Sequence, residues 1–416
     1  MRKKVHSFTA LVMAMTLLCS CSPKIDSIET EQDSSILSKT SNRDVVSIIK
    51  KANQVYEKRD SELVKLKYDG MKESPHSFYR ATNYLFYQDF AKTNLFSAEQ
   101  VTIQGDLHLE NVGTYKSSNG FSYDFNDFDD AIKGSYTYDL ARVSTSIILV
   151  AQENGFSKSD AEKFAKQFLE SYLDYTKKLK GNSAELNNPI SEKYMSDKVK
   201  KLVKNVSETT TASFNSSFIS SGNLMESKKV KKLDTETYKR IFVLLKIFFA
   251  KNNPSYTLKD VAYYISGKGS LGRYRYLALL QNTTRPSDTI LMDIKEAVKT
   301  NFSTATENQA QRVINGTKFF LAKPNMFLAT TNIEGNDFFV RSLLADDKVD
   351  LSKLNKSSEM EDFVNTISYL TARGHSKSNK NDKILSEQKR VMEIKDFAVQ
   401  YAEQVKADFN QFRKNI

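Results

Sequence analysis

From Val45 to about Phe96 the apolar residues recur at helical spacing, with one interruption at Ser74-Pro75. The texture then changes. "VTIQGD" at 101–106 reads as a short strand ending in a turn, and "FSYDFND" as a second strand, paired across "KSSNG", a glycine-containing hairpin connection. Helical spacing returns in Tyr138–Gln152, apolar on most sides and so expected to be buried, and in Lys158–Lys180, which is amphipathic. Residues 205–230 are rich in Ser, Thr and Asn and read as a loop, and "TETYKRIFVLLKIFFAKN" reads as a further helix. From 253 the runs "SGKGSLGRYRYLALLQ", "TILMDIKEAV" and "NDFFVRSLL" are strand-like and separated by turn residues. The remainder is helical by period, with a polar gap at "RGHSKSNKND", and no internal repeat is visible.

Composition supports this outline. Gly and Pro number only 14 and 6 among 416 residues, which favours a mainly helical α+β architecture with a small sheet. With 40% apolar and 11% aromatic residues the chain buries one large core or two moderate ones, and a disordered chain is excluded. The start, "MRKKVHSFTALVMAMTLLCSCSPK", sets Arg2, Lys3 and Lys4 before an apolar run from Phe8 to Leu18, the pattern of an export signal. Ser20 directly before Cys21 resembles a bacterial lipobox, with cleavage before Cys21 and acylation of its thiol. Cys19 fits worse, because bulky Leu18 would occupy the small cleavage position. A plain signal peptide or an uncleaved anchor is the other reading, though the apolar run is short for a span.

The expected organisation is a signal at 1–20, a polar tether at 21–44, a helical catalytic-loop region at 45–252, a small β-rich region at 253–350 and C-terminal helices at 351–416. The expected location is a bacterial membrane on its periplasmic or cell-surface side, held through the N-terminal lipid. Losing Arg2, Lys3 and Lys4 lowers the net charge from +11 to +8, and both cysteines lie in the signal, so no disulfide is expected in the mature fold. The positive charge is spread, as in "SKKVKKL" at 227–233, without interleaved aromatics, so no nucleic-acid partner is expected.

The candidate chemistry lies in "QGDLHLENVGT" (104–114) and "YDFNDFDDA" (123–131). Asp106 and Asn111 lie five residues apart on a turn after a strand. An Asp there can accept a hydroxyl proton, and an Asn carbonyl nearby can coordinate Mg2+, which prefers oxygen ligands. Asp124, Asp127, Asp129 and Asp130 offer a carboxylate to complete the site. By strand alternation Asp127 and Asp129 share one face, and Asp124 shares the other with Asn126. Turn and helix capping is the plainer use of such residues.

These segments resemble the catalytic and metal-binding loops of protein-kinase-like phosphotransferases. "GDLHLEN" is similar to the aminoglycoside- and choline-kinase branch, in which a metal-binding Asp precedes a "YDLA" helix start by about a dozen residues. Asp127 stands 12 residues before Asp139 of "YDLAR". The resemblance implies that Asp106 is the catalytic base, Asn111 and Asp127 bind Mg2+ or Mn2+, and Asp139 is structural. Asp124, 13 residues after Asn111, remains the rival metal ligand. His108 would orient its neighbours. A closer resemblance spans nearly the whole mature chain: "SPHSFYRA", "GDLHLENVG", "NDFDDA", "YDLAR", "GKGSLGRYRY", "IKEA", "QRVINGTKFF", "FFVRSLL", "ARGHSKSN" and "YAEQVKADF", in that order, look like the bacterial domain of unknown function 2252. That family implies a kinase-like two-lobed fold and no established substrate.

Element order sets this chain apart from ordinary kinases. The glycine turn Gly267-x-Gly269-Ser270-x-Gly272 and the strand-borne Lys295 follow the catalytic loop by more than 150 residues. Glycines let backbone N–H groups approach phosphate oxygens, and Lys295 supplies a point charge, so these residues are candidates to bind ATP or another nucleotide. The order implies a circular permutation. An ordinary glycine-rich hairpin is the alternative. The acidic partner of Lys295 is left open: Glu307 is available, Asn315 sits where an acid would be expected, and Glu296 points to the opposite strand face. Arg80 and Arg341 are candidates for clamping a phosphate or an acidic substrate, or for ion pairs with the Asp cluster. His375 is a candidate base or helix cap. The leading expectation is an ATP- and Mg2+-dependent phosphotransferase on an unknown small-molecule or protein acceptor. An exported ligand-binding protein without catalysis and a metal-dependent phosphoester hydrolase are the alternatives.

Overall fold

In the computed structural model, which describes residues 43–303 and 307–416, the N-terminal helical stretch is divided by its caps. Asp44 accepts from Ser47 N at the start of α1 (Val45–Arg59), and Asp60 from Leu63 N at the start of α2 (Ser61–Met71). Ser74 accepts from Ser77 N at the start of α3 (Pro75–Ala81), where Pro75 occupies a first-turn position that needs no N–H donor. Helix α4 (Asn83–Phe90) follows.

Four short strands come next: β1 (Gln100–Ile103), β2 (Val112–Ser117), β3 (Gly120–Phe125) and β4 (Ile132–Ser135). Strands β2 and β3 form the expected hairpin, closed at Ser118-Asn119 before Gly120. Strand β1 pairs antiparallel with β4, so residues 104–131 leave β1 and return beside it as one excursion. From β4 the chain enters α5 (Tyr136–Glu153), buried along almost its whole length as its apolar residues predict, and then α6 (Lys158–Leu179).

Beyond α6 the stretch expected as a loop is largely structured. Asp197–Ser207 and Thr211–Ser216 are helical, the latter capped by Thr210, and Ile219–Ser220 pairs with Asn223–Leu224. Thr210 serves as a helix cap while Phe218 and Leu224 pack against a larger sheet.

That sheet contains β5 (Val230–Lys231), β6 (Tyr256–Tyr264), β7 (Arg275–Asn282), β8 (Thr289–Glu296), β9 (Leu328–Ile333) and β10 (Asn336–Leu343), with α7 (Thr235–Asn252) between β5 and β6 and α8 (Gln309–Phe320) between β8 and β9. It is antiparallel, in the order β9-β10-β8-β7-β6-β5. Alternation splits its faces. Met292, Ile294, Tyr276 and Val340 bury against Ile241, Leu245 and Phe249 of α7, so the sheet-bearing region begins before residue 253. On the other face, Leu277, Leu279 and Leu291 pack with Phe218 and Leu224.

The C-terminal helices α9 (Ser357–Ser376) and α10 (Gln388–Asn415) close the main core with α5 and α6. The expected polar gap is shorter than its composition suggests, because Arg373, Gly374, His375 and Ser376 are helical and buried. The whole is a mixed α+β fold in which a helical body meets a six-stranded sheet. Among the described residues no helix is long and apolar enough to cross a membrane.

Candidate functional site

The excursion between β1 and β4 is fixed by α5. Gln104 N and Gly105 N donate to the two carboxylate oxygens of Asp139, at 2.7 and 2.9 Å. Gly105 has φ +81°, and a Cβ there would lie 2.2 Å from Asp130 O, so the turn rests backbone on backbone against Asp130. Gln104 links the two sides: its Oε1 accepts from Asp106 N at 2.8 Å and its Nε2 donates to Asp127 O at 2.5 Å.

The Asp106 carboxylate is gripped on one oxygen. Arg142 Nε and Nη2 approach Oδ1 at 2.8 and 2.7 Å, and the Arg142 guanidinium lies 3.8 Å over the Tyr79 ring. Burial pushes the Asp106 carboxyl up to about 7; Arg142 pulls it down, and Asp130 and Asp127 add to the rise. Its Oδ2 lies 3.8 Å from His108 Nε2. Burial, with Arg80 nearby, holds His108 well below the ordinary histidine range, so its ring is neutral. Glu110 N donates to His108 Nδ1 at 3.2 Å, which leaves the ring proton on Nε2. Asn111 Nδ2 donates to Asp106 O at 2.8 Å.

Three carboxylates on the returning segment differ in their partners. Asp129 is paired with Lys295 at 2.6 Å and Arg273 at 2.8 Å. Asp127 accepts only from Asp129 N, at 3.1 Å, and has no ion pair within 4 Å among the described residues. Burial opposes its charge, but Lys295, the Asp129 N–H, Lys348 and Arg341 together hold it well below the usual carboxylate range. Asp130 has neither hydrogen bond nor ion pair to its carboxylate among the described residues, and burial pushes it up to about 6 against the pull of Arg273.

The sheet faces these loops with a row of charges. Lys295 stands opposite Arg275 on β7 and Phe339 on β10, and Asp293 opposite Arg341, so all five share a face. Asp293 accepts from Arg275 through both oxygens at 2.7 Å and from Arg341 Nε at 3.0 Å. Arg275 Nη1 also holds Ser266 O at 2.8 Å, fixing the start of the glycine turn, where Gly267 has φ +80°. Arg341 uses only Nε, so its terminal nitrogens are unbonded among the described residues.

Two adjoining cavities lie between the sheet and the loops, and both are bordered by Asp127, Asp129, Gly267 and Lys348. One, of about 230 Å3, sets Lys295, Arg275 and Arg341 beside apolar Val313, Leu328 and Phe339. The other, of about 260 Å3, brings Asp106, His108, Asn111, Asp130, Arg80, Gly269 and Ser270 together with Asn53, Tyr56, Lys67 and Tyr84 of the N-terminal helices.

Most of the residues singled out in the sequence therefore border one cavity or the other, but Asp124, His375 and Gly272 are among those that do not. Asp124 is sealed against Arg373, with the two side chains only 2% and 1% exposed, so its carboxylate is turned away from both cavities. His375 is buried, its Nδ1 3.0 Å from Tyr172 OH and its Nε2 3.3 Å from Asp139 Oδ2; it supports the Asp139 clamp instead of facing a substrate. Gly272 packs on α1, where a Cβ would lie 2.6 Å from Tyr56 Cβ. Arg80 borders the larger cavity and pairs with Glu110 at 2.6 Å. The partner of Lys295 is Asp129, while Glu296 turns to Arg59 of α1 at 2.7 Å. Cys21 lies outside the described residues. Sequence reasoning missed Lys67, Arg142 and Arg273; the two arginines lie within the blocks "YDLAR" and "GKGSLGRYRY", but nothing local marks them as partners of Asp106 and Asp129.

The donors suit a particular kind of metal binding. Among the described residues no three His, Cys, Asp or Glu side chains cluster as a metal site. Among the described residues the loops offer the Asp127 carboxylate without an ion pair, the Asn111 amide and Asn126 Oδ1, a buried oxygen with no hydrogen-bond partner. Such hard oxygens are too few for a resident ion but fit Mg2+ or Mn2+ arriving with phosphate oxygens of a substrate.

Residues 59–415 match the family described as an uncharacterized protein conserved in bacteria (DUF2252). No curated protein and no solved structure matches the chain.

Proposed function

Since the chain belongs to the DUF2252 family, whose description names no reaction, we propose from the site itself that it is a kinase-like phosphotransferase. Its donor is a nucleotide bound with Mg2+ or Mn2+, and its acceptor is a hydroxyl compound. One observation carries the reading: Lys295 and Arg341 on the sheet face Asp127 and Asp129 of the loops across a single cleft. In this reading the sheet is a nucleotide-covering lobe that follows the catalytic loop in the chain, a circular permutation of the kinase order.

The smaller cavity takes the nucleotide. Its apolar wall of Val313, Leu328 and Phe339 suits a base, and Lys295 and Arg341 suit phosphates. Asp127 and Asn111 would hold the metal, which supplies neutralisation of phosphate charge. The acceptor hydroxyl lies in the larger cavity, where Asp106 accepts its proton. The hydroxyl oxygen forms a bond to the γ-phosphorus as the bond to the β–γ bridging oxygen breaks, leaving the nucleoside diphosphate. Arg142 holds Asp106 through one oxygen and leaves Oδ2 for that proton. If residues 1–21 act as an export signal and lipid anchor, the donor is an extracytoplasmic nucleotide or another phosphoryl compound.

Calorimetric titration of the full chain in detergent with Mg2+ and a non-hydrolysable ATP analogue tests this reading. Binding is expected to require the divalent ion, to be lost in Lys295→Met and to persist in Asp106→Asn. With Mg-ATP and an accepted substrate, Asp106→Asn should lose about 100- to 10,000-fold in kcat. Absence of both binding heat and thermal stabilisation by the Mg-nucleotide would overturn it.

A further inference from the structure

Lys67 is a buried cation that the transfer step does not use. Helix α2 carries it to the wall of the larger cavity with 6% of its surface exposed. Its Nζ donates to Asn53 Oδ1 at 2.9 Å, and Asn53 is itself fixed through Nδ2 to Ile49 O at 2.9 Å. Among the described residues no carboxylate lies within 4 Å of Nζ, so two of its three N–H groups have no partner there. The nearest ring is that of Tyr56, 5.9 Å away. A buried ammonium without a counter-anion is expensive, and protein interiors ordinarily supply one. Burial, helped by Arg273, accordingly pushes Lys67 down to about 7. Arg273 is already engaged by Asp129 at 2.8 Å.

On the phosphotransferase reading, we propose that the larger cavity takes a small hydroxylated acceptor bearing an anionic group, a carboxylate or phosphate, and that Lys67 binds that group. The acceptor's two ends then meet opposite chemistry. Its hydroxyl lies toward Asp106 and Asp130, and its anion toward Lys67 and the fixed Asn53. Size points the same way: the cavity holds about 260 Å3, with α1 and α2 along one wall, which is room for a small molecule.

The test titrates the full chain with inorganic phosphate and, separately, with glycolate, each with the Mg-nucleotide analogue already saturating, so that Lys295 and Arg341 are occupied. Saturable binding of at least one probe is expected, weakened at least tenfold in Lys67→Met and retained in Lys67→Arg, with analogue affinity unchanged in both. Lys67→Met removes a buried charge and should fold; a thermal melt checks this. Wild-type protein that binds neither probe, or Lys67→Met that binds them as tightly as wild type, overturns the proposal. If the nucleotide analogue itself fails to bind, that result counts against the phosphotransferase reading alone. The probes are then titrated without it, and loss in Lys67→Met but not in Lys295→Met still supports the anion site.

Discussion

The Arg373 guanidinium faces the Asp124 carboxylate with both side chains almost wholly out of water, so each charge depends on the other. Removing one partner of a buried pair leaves the other uncompensated, which typically costs about 3–5 kcal/mol. Asp124→Ala is therefore expected to lower the unfolding free energy by about that much in urea titrations, without weakening divalent-ion-dependent nucleotide binding. Three residues along the chain, Asp127 has no such partner among the described residues, and surrounding cations hold it ionised. Spacing alone left these two aspartates as rivals for one role. Their surroundings differ because of Arg373, which is distant in sequence and arrives through the packing of α9. The same reason hid Arg142, which lies inside a helix that reads as core yet holds Asp106.

Elements meet at the turn after β1, where Gly105 serves two needs at once. Its φ of +81° disfavours any L side chain, and a Cβ would meet Asp130 O at 2.2 Å. Gly105→Ala should cost about 3 kcal/mol or more by combining left-handed strain with overpacking. Gly335→Ala, at φ +85° with open space around it, should cost only about 1–2 kcal/mol. Denaturant melts of the two variants separate strain from contact. The hairpin of β2 and β3, the helix break at Ser74-Pro75 and the strands β7, β8 and β10 were legible because local signals determine them, whereas β6 and β9 were not. The structure of residues 205–230 was not, because capping by Ser and Thr looks compositionally like a loop.

Helix ends supply a pH-dependent contact. Lys377, just past α9, donates to Phe319 O and Phe320 O at 2.8 and 2.7 Å, closing the last turn of α8. Burial outweighs this and, with Arg373 nearby, pushes Lys377 down to about 8 from 10.5. Between those values the unfolded chain binds the proton that the folded chain has released, so this residue's contribution to stability rises with pH from about 8 to 10.5. Wild-type stability should gain on that of Lys377→Met across this window, as read from urea melts at successive pH values. A constant difference would contradict the assignment.

For the whole molecule, the question is what joins the helical body to the sheet around the cleft. Sequence order suggested that the two halves of the site lie far apart in the chain, but not which residues join them. Lys295 lacked a partner because Asp129 lies more than 150 residues upstream, and no periodicity reports such a pairing. Asp129 is the centre of that joint, held by Lys295 at 2.6 Å and Arg273 at 2.8 Å, while Arg59 and Glu296 at 2.7 Å form a second bridge from α1. The sheet has apolar clusters of its own on both faces, although Phe339 of β10 and α8 join the main core, so each body has its own source of stability. Asp129→Asn should therefore loosen the joint without unfolding either body. In hydrogen exchange, protection is expected to fall in residues 126–130 and 266–273 while α5 and α9 keep theirs, because exchange reports local opening separately from global unfolding. Uniform loss of protection through α5 and α9 would mean that Asp129 supports the helical core itself; unchanged protection at 266–273 would mean that the Arg59–Glu296 bridge suffices to hold the sheet in place.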